Sequence, residues 1–99
     1  MGYKVIWTDE AIADLRQLVV FISHDNSAAA VKLGEAIIQK SMILALQPRL
    51  GRMLRKTPKD SVRELIVPSY RLIYEIDDLA SAIYVRLLWH GARQEPEIQ

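Results

Sequence analysis

Apolar positions recur at spacings of three and four between residues 9 and 23. Ile12, Leu15, Val19 and Ile22 form the stripe, Ala11 and Leu18 widen it, and together they predict an amphipathic helix. Thr8 precedes it as an N-cap, and Asp9 and Glu10 put negative charge where the helix dipole favours it. Ser23-His24-Asp25-Asn26-Ser27 breaks the pattern, and Asn26 or Ser27 can cap a second helix over about residues 28–47. Ala30, Leu33, Gly34, Ile37, Ser41, Leu44 and Ala45 share one of its faces. The small residues Ala29, Ala30 and Gly34 allow close approach to a neighbour, and Pro48 stops the helix. Two helices joined by so short a break form an αα-hairpin.

Around this hairpin the pattern changes to short β-branched and aromatic runs. Tyr3–Trp7 is a strand before it; Val62–Val67, Tyr70–Ile76 and Ala82–Trp89 follow as three more. Pro68-Ser69 and Asp77-Asp78 read as the turns between them, and Gly91 ends the last. Residues 49–60, with Gly51 and Pro58, read as a loop, and 94–99 as a flexible tail. The expectation is one α+β domain over residues 1–99. Period-two parity puts Ile83, Val85, Leu87 and Trp89 on the core face, with Tyr84, Arg86, Leu88 and His90 opposite. In the preceding strand it groups Leu72, Tyr74 and Ile76 against Arg71, Ile73 and Glu75. One sheet face then carries Arg and His among apolar groups, as a binding surface does.

Composition narrows the function classes. The chain is 51% apolar and 25% charged, a globular balance. With no cysteine there is no disulfide, thiolate nucleophile or Cys-ligated metal. The longest apolar runs, Leu18–Ile22 and Met42–Leu46, fall far short of the roughly 20 residues of a membrane span, and no signal-type segment opens the chain. The expected location is the cytoplasm, with no membrane partner.

Net charge is +1, but residues 1–48 carry four Lys/Arg against five Asp/Glu, and residues 49–99 carry nine against seven. Arg49, Arg52, Arg55, Lys56, Lys59 and Arg63 cluster around a single acid, Asp60. Such a cluster either solvates a loop or attracts an anionic partner. No phosphate-loop, dinucleotide, zincin or nucleophile-elbow string occurs, and His24 and His90 have no companion ligands, so neither cofactor nor metal is expected. Arg63, Arg71, Arg86, His90 and Arg93 remain. Arginines neutralise phosphate oxygens and a histidine exchanges protons near neutral pH. The same residues also serve as strand caps and rim cations, and the pattern leaves both roles open.

The order of strand, helical hairpin and three-stranded antiparallel meander resembles the RelE/ParE superfamily of bacterial toxins. So do Pro48-Arg49-Leu50-Gly51-Arg52, Val62-Arg63-Glu64-Leu65-Ile66-Val67-Pro68, Tyr70-Arg71-Leu72-Ile73-Tyr74 and Trp89-His90-Gly91-Ala92-Arg93. The resemblance spans about Tyr3 to Arg93. It implies one mostly antiparallel sheet and a type II toxin neutralised by a cognate antitoxin in a hetero-oligomeric complex. RelE-like members cut mRNA on the ribosome, whereas ParE-like members poison DNA gyrase without known hydrolytic activity.

Arg71 and Arg93 fit the RelE pattern. Lysines of that pattern fall here on Glu64 and Val62, and its C-terminal tyrosine falls near Gln99, with no tyrosine after Tyr84. Other ribonuclease members use a histidine where His90 stands. The Arg-Glu-Leu and His-Gly-Ala-Arg strings are closer to ParE and its plasmid-stabilisation relatives. The resemblance therefore implies a gyrase-inhibiting toxin that arrests growth. Its alternatives are an mRNA endonuclease using Arg71, His90 and Arg93, and a non-toxic antitoxin-binding relative. Arg49, Arg52, Arg55, Lys56, Lys59, Arg63 and Arg86 are the candidate contacts to target or RNA. Ile38, Met42, Ile43 and Leu46, apolar beside the core stripe of the second helix, are the candidate contacts to the antitoxin.

Overall fold

The Thr8 hydroxyl caps the first helix as the sequence predicts, accepting from Ala11 N at 3.2 Å, and it also donates to Val85 O at 2.9 Å. One side chain thus starts helix α1 (Asp9–Ser23) and ties it to the sheet. Asn26 Oδ1 accepts from Ala29 N at 3.0 Å and opens α2 (Ser27–Met42). These positions come from a computed structural model that describes residues 2–67 and 70–90, with only the backbone of His90. The predicted Pro68-Ser69 turn, the residues 91–99 and the His90 side chain lie outside it.

The α-helical part of the second helix ends earlier than its apolar pattern predicts. Ile43–Ala45 is a 3-10 turn. Tighter winding there brings Ala45 O to Tyr3 N at 2.7 Å, joining the helix end to the N-terminal strand. Gly34 lets α1 and α2 approach, since a Cβ there would lie 3.2 Å from Val19 Cγ2.

The sheet has five strands rather than the four predicted: β1 (Lys4–Trp7), β2 (Arg52–Met53), β3 (Val62–Val67), β4 (Tyr70–Asp77) and β5 (Ala82–His90). Their order is β1-β5-β4-β3-β2, with β1 parallel to β5 and every other pairing antiparallel. The stretch predicted to be loop therefore contains an edge strand. Two residues are too few to show a period, so its pairing with Arg63 and Glu64 was invisible in sequence. β5 also runs past the end of β1. Asp14 of α1 occupies part of the vacant edge, its carboxylate accepting from Leu88 N at 3.0 Å.

The parity predicted for the last strand is corrected by a β-bulge. Ile73 pairs with Leu87 and Tyr74 with Val85, so Arg86 is the extra residue on β5. Beyond it the faces exchange. Ile83 and Val85 join Leu88, Leu72, Tyr74 and Ile76 in the main core beneath the helices, with Ala11, Ile37 and Leu44. Leu87 and Trp89 turn to the other face and pack against Leu54, Val62 and Ile73. The sheet thus has a second, smaller core on the face predicted to be a binding surface. The segment after β2 covers it, since Leu54 is buried there.

Candidate functional site

Beside this smaller core the sheet buries a carboxylate. Glu64, opposite Ile73 on the outer face of β3, has a side chain only 1% exposed. Burial of a charge demands partners. Arg52 Nε donates to Glu64 Oε1 at 2.6 Å and Arg71 Nη1 to Oε2 at 3.4 Å. The Arg71 guanidinium also lies over the Trp89 ring, 5.4 Å from its centroid, a cation–π distance. The Trp89 indole N–H is buried with no acceptor among the described residues, so its ring contributes packing rather than a hydrogen bond. Glu64, Arg52, Arg71 and Trp89 thereby link β2 to β5 across the sheet.

A second network joins the segment before β2, the start of β3 and the β4–β5 turn. Arg49 donates to Asp60 at 2.8 Å and to Asp78 at 2.9 Å. Arg63 donates to Asp60 Oδ1 at 2.6 Å, to Asp60 O at 2.8 Å and to Gly51 O at 2.8 Å. Tyr3 Oη donates to Asp78 Oδ1 at 2.6 Å. Hydrogen bonds from Arg49, then from Arg63, hold the Asp60 carboxyl below its usual range. Asp78 is lowered by Arg49 first and Tyr3 second. The same contacts raise Arg49, chiefly through Asp78, and the hydrogen bond to Asp78 raises the Tyr3 phenol. Asp77, the other acid of this hairpin, accepts from Ala80 N at 3.1 Å, so its side chain serves the turn while that of Asp78 serves the network.

Tyr74 braces the chain entering β2. Its hydroxyl donates to Pro48 O at 2.7 Å and accepts from Gly51 N at 2.9 Å. Burial pushes this phenol up, against the Gly51 N–H, which lowers it. Gly51 is required by space: a Cβ would lie 2.4 Å from Glu64 O and 2.8 Å from Tyr74 Oη.

The structure divides the predicted basic set. Arg49, Arg52 and Arg63 are engaged as above, and Arg86 donates to Glu75 Oε1 at 3.0 Å. Arg55, Lys56 and Lys59 are exposed on the segment between β2 and β3. Neither Arg55 nor Lys59 has an ion-pair partner among the described residues. Of the three residues named for nuclease chemistry, Arg71 is held by Glu64, while Arg93 and the His90 side chain lie outside the described residues. Among the described residues no group of three His, Asp or Glu is placed to hold a metal, and no helix is long and apolar enough to cross a membrane.

The four apolar candidates are exposed, Ile38, Met42 and Ile43 by 41–51% and Leu46 by 80%. Ile38 also lines a shallow apolar groove between the helices with Leu15, Val19, Val20, Val31 and Gly34. Sequence reasoning missed the contributions of Val20 and Val31. Both are apolar residues at the margin of a core stripe, where sequence does not separate buried from exposed.

Comparison with known proteins adds four findings. The family described as ParE toxin of type II toxin-antitoxin system, parDE, matches residues 5–95. Toxin RelE1 of Caulobacter vibrioides is 28% identical over 98 residues, covering 95% of this chain and 99% of that protein. The fold is similar to chains of the toxin–antitoxin complex RelBE2 from Mycobacterium tuberculosis (TM-score 0.71, 24% identity, 91% of this chain and 99% of that one). It is likewise similar to a chain of the chromosomal ParDE system of P. aeruginosa (TM-score 0.72, 17% identity, 90% and 96%).

Proposed function

The chain belongs to the ParE toxin family of type II toxin–antitoxin systems, within the RelE/ParE superfamily, and from that premise we propose that it inhibits DNA gyrase by binding, without hydrolytic chemistry of its own. The observation that carries this reading is Glu64. A ribonuclease of this fold needs cationic side chains facing the scissile phosphate. Here a buried carboxylate stands between two of the arginines on that face, Arg52 and Arg71, 2.6 Å from one and 3.4 Å from the other. Their positive charge is spent on an internal anion, and a second anion approaching Arg71 meets the repulsion of the first. Val62, the other position where the RelE pattern has lysine, is buried in the smaller core.

The antitoxin is the second partner in this reading. Ile38 lines the inter-helix groove, and Met42, Ile43 and Leu46 are exposed at the end of α2 and in and after the 3-10 turn that follows it, apolar groups suited to the apolar face of an amphipathic segment. The M. tuberculosis and P. aeruginosa relatives are themselves components of toxin–antitoxin assemblies, which supports a protein partner of this kind.

The test is a gyrase supercoiling and cleavage assay with the purified, folded chain, with and without ATP. Inhibition or stabilised double-strand breaks are expected. Gyrase left untouched overturns the reading. Ribosome-dependent mRNA cleavage through Arg71, His90 and Arg93, to which the likeness to Toxin RelE1 lends support, then becomes the leading alternative. A folded chain that causes no growth arrest without its antitoxin points to the non-toxic relative.

A further inference from the structure

Three of the six cations between residues 49 and 63 are neutralised inside the molecule by ion pairs to Asp60, Asp78 and Glu64, at the two ends of the run. Arg49 and Arg63 share Asp60, Arg49 also reaches Asp78, and Arg52 is held by Glu64. Arg55 and Lys59, on the segment from Leu54 to Lys59, differ. Arg55, Lys56 and Lys59 are all exposed, the segment contains no acid, and neither Arg55 nor Lys59 has an ion-pair partner among the described residues. Its backbone is nevertheless anchored. Leu54 is buried at 1% and Thr57 at 7%, so the exposed cations are interleaved with buried residues. Lys59 N donates to Thr57 O at 2.8 Å and Val62 N to Lys59 O at 3.1 Å. An anchored backbone presents charge at a fixed place, where a mobile loop would only solvate itself.

We propose that Arg55, Lys56 and Lys59 form a strip that docks on the phosphate backbone of duplex DNA. The proposal rests on the gyrase reading only in assigning that duplex to the DNA on which gyrase acts. Two features choose the occupant. Clustered cations on an anchored segment match a phosphate backbone, which is contacted without reading sequence. In addition, residues 49–63 contain no Phe, Trp, Tyr or His. Single-stranded RNA and DNA are held largely by bases stacked on aromatic rings, and this strip has no ring to offer.

The experiment is fluorescence anisotropy of the full-length chain with a labelled 30-bp duplex, titrated at several salt concentrations. Three phosphate contacts give a log Kd against log salt dependence of about 2.7, at roughly 0.9 per contact. Arg55→Gln with Lys59→Gln, which keeps most of each side-chain stem, lowers that dependence by about 1.8. If the affinities converge near 1 M salt, this is a loss on the order of 10²-fold at 50 mM. Lys32→Gln with Lys40→Gln on α2, an equal charge change elsewhere, leaves the dependence unchanged, and circular dichroism confirms that each variant is folded. Wild type that binds no duplex at 50 mM salt overturns the inference. So does an unchanged dependence in the double variant, including the case in which antitoxin affinity falls instead. Tighter binding to single-stranded RNA of equal length also overturns it. The same preparations in the supercoiling assay separate the two readings. Inhibition of gyrase without duplex binding removes this inference alone. Duplex binding through the strip with gyrase unaffected upholds it and removes the proposed function.

Discussion

Glu64 on β3 and Arg71 on β4 are diagonal neighbours on one face of the sheet, Glu64 lying opposite Ile73, two residues beyond Arg71. Their 3.4 Å contact sits where the carboxylate is buried and the guanidinium largely covered. Removing Arg71 leaves Glu64 with Arg52, whose side chain is mostly in water. Arg71→Ala is therefore expected to destabilise the fold by about 1.5–3 kcal/mol, the worth of a hydrogen bond to a charged group. Urea unfolding of Arg71→Ala, Glu64→Gln and the double variant measures the coupling. A value of about 1 kcal/mol or more is expected, and strict additivity would show that the two side chains do not act together.

Gly51→Ala places a methyl group against Glu64 O and Tyr74 Oη at once. The carbonyl belongs to a paired strand and cannot rotate away, so the cost is that of overpacking, about 1–3 kcal/mol. Tyr74→Phe removes the hydroxyl that joins Pro48 O to Gly51 N, at about 1–3 kcal/mol for the polar groups left buried. Combining the two is not expected to rescue stability, because the clash with Glu64 O remains. A double variant as stable as Tyr74→Phe would show that the hydroxyl was the only obstacle.

Acid is expected to loosen the second network. Asp60 and Asp78 titrate below the usual carboxylate value of 3.8 in the folded chain. The unfolded chain binds more protons between the unfolded and folded values. The stabilisation is therefore fully present above the unfolded value and lost as pH falls through the folded one. Arg49 touches both carboxylates, so Arg49→Ala should flatten the fall in urea midpoint below about pH 4. An unaltered slope would mean that these ion pairs are too well solvated to be felt.

What the sequence revealed follows how local each cause is. Thr8 and Asn26 were legible as caps because a cap is decided within a few residues, and the helical stripe identified Ile37 and Leu44 as core. The bulge at Arg86 was not legible. It arises because Ile73 and Tyr74, adjacent on β4, are held against residues two places apart on β5, Leu87 and Val85 with Arg86 between, and nothing in Tyr84-Val85-Arg86-Leu87 marks the extra residue. Consequently Leu88 was predicted to face away from the main core, which it joins. Glu64 stood out as an acid where a related pattern has lysine, but its burial depends on β2 and the segment after it. Those elements owe their place to tertiary pairing, not to a period.

The antitoxin surface is open to a direct trial at Met42. Its side chain is half exposed at the end of α2, beside Ile43 and Leu46, while the neighbouring Ser41 and Leu44 face inward. Met42→Asp puts a charge among these apolar groups without entering the core, so the melting temperature should move little. An apolar partner face would have to desolvate that carboxylate on docking. Affinity for the antitoxin should then fall at least tenfold, about 1.4 kcal/mol or more. Calorimetric titration of the variant against the antitoxin reads this directly. Undiminished affinity in a folded variant would place the interface elsewhere and return Ile38, Met42, Ile43 and Leu46 to the scattered apolar residues that every protein surface carries.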